Sequence, residues 1–170
     1  MPGGTERIDR AQVVIIGGGV VGCSIAYHLA RFGATDVLLL ERNELASGAT
    51  ARSAGCVLHI RTDPSTTQMV SRTRAAIAEL EELSGESLDF RQVGCIRAAF
   101  SEEREHELGA MVRILDETGI AAESLDPPAA REICPWLELK ECRRIIYVSA
   151  DGYIDGARLN AAYARAARML

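Results

Sequence analysis

The chain has 170 residues, 48% hydrophobic and 25% charged, the composition of a soluble α/β globular domain with a sizeable core rather than of a disordered tail. Nineteen basic residues against 24 acidic ones give a net charge of −5 with no basic stripe, which argues against a nucleic-acid partner. Cys23, Cys56, Cys95, Cys134 and Cys142 form no CxxC pair and are odd in number, so neither a metal site nor a disulfide framework is expected, but reduced, mostly buried thiols in a cytoplasmic protein.

From Val13 to Ala30 the chain is almost continuously apolar after Arg7 and Arg10, superficially like a membrane anchor. Gly17-Gly18-Gly19 and Gly22, with Ser24, Tyr27 and His28 close behind, fit a tight strand-to-helix turn instead, so no membrane contact is expected. Gln12 to Ile16 reads as a buried strand, Val20 to Phe32 as a helix ending near Gly33, and Asp36 to Leu40 as a second strand apolar enough to be covered on both faces. Val70, Ile77, Leu80 and Leu83 fall at helical spacing within 66–83. Phe90 to Phe100 reads as strand around Gly94, after which Ser101 caps a helix that stops near Gly119. An extended piece over 120–125 leads to Asp126-Pro127-Pro128, which starts a brief helix ended by Pro135. Arg144 to Ser149 is a further strand, and Asp155 caps a last helix over 156–170 with Leu159, Ala162, Tyr163, Ala166 and Leu170 on one face.

The chemistry is carried by Val14-x-Ile16-Gly17-x-Gly19-x-x-Gly22, followed by Ala26, Leu29 and Leu38-x-Leu40-Glu41. The glycines follow a strand, open a helix and precede an acid, the context that makes this a dinucleotide fingerprint. Gly17 permits the turn, Gly19 leaves room for a pyrophosphate, and Gly22 lets helix and strand pack closely. Val20 and Val21 open the helix, whose free N–H groups and positive dipole end face the phosphates, while Glu41 can accept the adenosine ribose hydroxyls. A nicotinamide-binding domain usually continues into a third βαβ strand. Here Glu41 is followed by Arg42 and the small-residue run Ser47-Gly48-Ala49-Thr50-Ala51-Arg52-Ser53-Ala54-Gly55.

With that run the sequence resembles the D-amino-acid-oxidase-like FAD oxidoreductases, and within them the sarcosine and dimethylglycine dehydrogenase branch. The segments VVIIGGGVVGCSIAYHLA, VLLLER, SGATARSAG, FRQVGCIRAA and DGYIDGARL carry the resemblance over nearly the whole chain. It implies an incomplete Rossmann FAD-binding domain of the glutathione-reductase type over 1–84, the start of an inserted antiparallel substrate domain over 85–149, and a return to the FAD domain over 150–170. It also implies that the loop Ser47, Gly48, Ala49, Thr50, Arg52, Ser53, Ala54, Gly55 passes along the pyrophosphate and flavin, with Arg42 beside it. Several members of the branch attach FAD through a histidine at the position of Arg52, so the resemblance implies noncovalent FAD here; His59 lies beyond that motif.

The implied reaction is hydride transfer from a C–N bond of a small amine or amino acid to the flavin, leaving an imine that water hydrolyses. No catalytic base is assigned, and Arg52 either stabilises charge on the reduced ring or makes a salt bridge or phosphate contact. Two other readings stand beside it: an NAD(P)-binding reductase domain, disfavoured because Glu41 would repel a 2′-phosphate, and a non-catalytic fragment completed by a further chain segment or subunit.

Overall fold

A computed structural model describes residues 10–170. Its elements follow in the order β1 (Val13–Ile16), α1 (Val20–Arg31), β2 (Val37–Leu40), a 3₁₀ turn (Thr50–Arg52), β3 (Cys56–Val57), α2 (Pro64–Ser84), β4 (Cys95–Ala99), α3 (Glu102–Glu117), β5 (Glu123–Leu125), α4 (Pro127–Ile133), β6 (Arg144–Val148), β7 (Gly152–Tyr153) and α5 (Gly156–Met169). The chain divides into two compact units. The first runs up to Ala54 and adds Leu80–Leu88 and Asp155–Leu170; the second holds Gly55–Glu79 and Asp89–Ile154.

In the first unit β1 and β2 pair in parallel, Val13 opposite Val37 through Ile16 opposite Leu40, joined by α1 as a right-sized crossover. α1 and α5 pack together through Tyr27 and Tyr163, both buried, with ring centroids 5.5 Å apart. The sheet is not covered on both faces as its apolar strands suggest. Ile15 is buried, whereas Val14, Ile16 and Leu40 are exposed, because strand side chains alternate and helices lie on one side only. The burial of Leu159, Ala162, Tyr163 and Ala166 follows the expected face of α5, but Leu170 and, at the end of α2, Leu83 are exposed where the helices run out.

The second unit is built on an antiparallel sheet in the order β4-β6-β5, with Ile146 and Val148 of β6 buried among Ile60, Ala99, Leu108 and Leu115. β4 is shorter than the sequence implies. Asp89 and Gly94 both take positive φ, so the chain before Cys95 turns, and Arg91 makes only an isolated bridge to Tyr153. A side chain at Gly94 would strike the Tyr147 ring. α2 starts two residues earlier than its apolar spacing implies, because Asp63 accepts the Thr66 N–H at 2.8 Å and Pro64 suits the first turn. Ser101 and Asp155 cap α3 and α5 as expected, accepting from Arg104 and from both Ala157 and Arg158, and Asp126, ahead of the proline pair, also caps α4 by accepting from Ala129.

None of the five cysteines is in a disulfide, but Cys23 alone is buried, so the expectation of mostly buried thiols fails. Cys56 lies exposed on the two-residue strand β3, where a short pairing with β7 leaves it uncovered. Among the described residues no helix is long and apolar enough to cross a membrane.

The short β3–β7 pairing brings His59 to Asp151, 92 positions away. His59 donates its backbone N–H to Asp151 Oδ1 at 2.8 Å, and its Nδ1 lies 2.7 Å from the same oxygen; His59 is 3% exposed and Asp151 not at all. Removing the imidazole leaves a buried carboxylate with a backbone partner only. His59→Leu should therefore lower unfolding free energy by about 1–3 kcal/mol, measured by urea denaturation; an unchanged midpoint would show that the pair is energetically idle.

Candidate dinucleotide site

The site grows from one sharp turn. Gly17, at φ +105°, is in a conformation that side chains rarely adopt, and its N–H donates to Leu40 O at 2.7 Å, tying the end of β1 to the end of β2. Gly22 faces that turn one helical turn later: a Cβ there would lie inside contact distance of Gly17 O. Glycine at 22 is thus required by the return of α1 over its own strand. Gly19 has ordinary φ, and a Cβ on it would meet Thr50 Oγ1 at 3.1 Å.

Thr50 does more than the sequence suggests. Gly19 is the N-cap of α1 and has no side chain, so the first helical N–H, of Val20, donates instead to Thr50 Oγ1 at 2.9 Å. The loop after β2 thereby caps the helix after β1. Glu41, at the end of β2, turns back onto the same turn: Oε2 accepts the Gly18 N–H at 2.7 Å and Oε1 the Asn43 N–H at 2.9 Å. The Gly18 hydrogen bond, then that of Asn43, holds the Glu41 carboxyl below its usual range. A Cβ on Gly18 would meet the Leu45 and Glu41 side chains, which would have to shift to admit it.

These groups border a cleft of about 550 Å³. It is lined by Gly17, Gly19, Val20, Val21 and Gly22 of the turn and helix start, by Glu41 and Arg42, and by Ser47, Gly48, Ala49, Thr50 and Arg52 of the following loop. Ile16, Ile25 and Asn43 also line it, and none of these was expected. Ser53, Ala54 and Gly55 do not line it. Ser53 Oγ donates to Thr50 O at 3.0 Å, and Gly55, at φ +67°, accepts from Ile154 N–H at 3.0 Å, where a Cβ would run into Ile154 O. Among the described residues no group of three His, Cys, Asp or Glu side chains is placed to hold a metal ion.

Residues 12–170 match the FAD dependent oxidoreductase (DAO) family. The chain belongs to that family. Rat (Rattus norvegicus) mitochondrial dimethylglycine dehydrogenase is 35% identical over 98% of the chain, and human (Homo sapiens) mitochondrial sarcosine dehydrogenase 32% identical over 94%. The chain spans 20% and 17% of those proteins. The crystal structure of L-proline dehydrogenase from P. horikoshii superposes with a TM-score of 0.84 at 26% identity, covering 94% of this chain and 42% of that one. The family and fold implied by the fingerprint and the loop after Glu41 are therefore right.

Gly22 and Gly19 divide the work of this family's turn in a way that mutation separates. Gly22→Ala forces backbone apart and should destabilise the fold by more than 1 kcal/mol, seen as a lower urea midpoint. Gly19→Val should lower that midpoint less than Gly22→Ala does, since it meets only the Thr50 hydroxyl, while weakening FAD or ADP binding at least tenfold by isothermal titration, because its side chain fills the cleft. Acidification tests Glu41. Its carboxyl is held down in the folded state, so its contribution is present above the unfolded carboxyl's range and is lost as pH falls through the folded value. The wild type should lose stability across the acidic carboxylate range more steeply than Glu41→Gln, measured by urea midpoints at several pH values.

Proposed function

We propose that the cleft holds the ADP half of FAD, noncovalently, and that the chain forms the N-terminal part of an oxidoreductase acting on C–N bonds of amines or amino acids such as sarcosine and dimethylglycine. The observation that carries the cofactor reading is the convergence on one cleft of the Gly17–Gly22 turn, Glu41 and the Ser47–Arg52 loop. Backbone N–H groups at the start of α1 suit the pyrophosphate. The Glu41 carboxylate keeps acceptor capacity beyond its backbone donors, which suits a ribose hydroxyl. Arg52, exposed on the wall of the cleft, supplies positive charge toward the phosphates or flavin. Flavin, when bound, accepts the hydride; the described chain orients its adenosine end. Support for the substrate class comes from the dehydrogenases to which the chain is similar.

The β1–β2 sheet has open edges, and a second cleft of about 560 Å³ runs beside β2, lined by Val37, Leu39, Ala26, Ala30, Ala164 and Ala167. That surface fits a further segment or subunit completing the fold. Thiols outside any disulfide suit a reducing compartment, and we propose a cytoplasmic location.

Purified protein reconstituted with FAD should be yellow, and acid precipitation should leave all flavin in the supernatant; flavin in the pellet would refute noncovalent binding. NAD binding without flavin uptake would replace the cofactor reading. Supplied with FAD, an artificial electron acceptor and a panel of N-methyl amino acids, the 170 residues should show no turnover, because the flavin and substrate must be aligned by parts of the relatives that this chain does not span. Turnover by the chain alone would overturn that reading.

A further inference from the structure

Asn160, on α5, is 1% exposed, and its Nδ2 donates to Gly18 O at 3.2 Å across 142 positions of sequence. The same carbonyl accepts the Ala46 N–H at 3.0 Å and faces the buried Cys23 Sγ at 3.6 Å. Three donors from three segments therefore converge on one oxygen. The peptide joining Gly18 to Gly19 is trans, so its N–H points opposite to its C=O. Holding Gly18 O inward aims the Gly19 N–H outward, and Gly19 lines the dinucleotide cleft without a protein acceptor for that N–H among the described residues. Asn160 Oδ1 is buried with no partner, a penalty that a purely space-filling residue would not carry. A leucine has nearly the same size and would avoid it.

We propose that Asn160 is a positioning residue of the dinucleotide site: by fixing the Gly18 carbonyl it presents the Gly19 N–H to the pyrophosphate. This rests on the reading of the cleft as an FAD site. The polar group at 160 is retained for the direction of a peptide, not for the stability of α5.

The test compares ADP with adenosine, which lacks the phosphates, by titration of the full chain and of Asn160→Leu, with urea unfolding of both. Asn160→Leu keeps the shape and deletes the orphaned acceptor, so its stability should hold or rise. Its ADP affinity should fall about three- to tenfold, the worth of one hydrogen bond, while adenosine affinity stays the same. Equal loss for both ligands, or no loss, overturns the proposal. If Asn160→Leu does not fold, the wild type decides through its ¹⁵N-glycine spectrum: the Gly19 amide should shift with ADP and stay in place with adenosine, and a Gly19 amide indifferent to ADP overturns the proposal. A wild type that binds neither FAD nor ADP removes the cofactor reading itself and the proposal with it. Wild-type binding with an unchanged ADP-to-adenosine ratio in Asn160→Leu removes the proposal alone.

Discussion

The peptide groups on either side of Gly18 hold the dinucleotide unit together. The Gly18 N–H is taken by Glu41 at the end of β2; its C=O is taken by Ala46 from the following loop, by Asn160 from α5, and approached by Cys23 from α1. The end of β2, the loop after it, α5 and α1 thus all meet at a residue that contributes only backbone. A Cβ there would press on the side chains of Leu45 and Glu41, and both of its polar groups are satisfied in a region where an unmet one would be costly. The turn is defined by what converges on it more than by its own conformational preference.

This explains the unequal legibility of the sequence. Helix starts at Ser101, Asp126 and Asp155 could be read because a cap acts within three residues, and the βαβ fingerprint because strand, turn and helix adjoin. The roles of Gly18, Asn160 and Thr50 could not. Nothing local distinguishes Asn160 from any polar residue on an amphipathic helix; its meaning lies in a carbonyl 142 positions away. The same holds for Asp151, whose partner His59 gives no local signal, and for β3 and β7, two residues each, too short for any periodicity. Gly55 was legible as a small residue in a loop, but the close approach of Ile154 O that requires it belongs to the second unit.

The apolar strands misled in one respect. Hydrophobic runs in β1 and β2 imply cover on both faces, yet Ile16 is 87% exposed and Val14 51%. Composition alone does not say which face of a two-stranded sheet its helices cover. Exposed Val21 and Ile25 on α1 extend the apolar surface beside the cleft.

The cap that Thr50 places on α1 makes the first turn of that helix a tertiary feature. A helix with glycine at its N-cap has no side chain to close its own first turn, and the acceptor comes from a loop 30 residues further along the chain. The start of α1 and the Thr50–Arg52 turn therefore stand or fall together: a change that moves the loop uncaps the helix, and both belong to the lining of the same cleft.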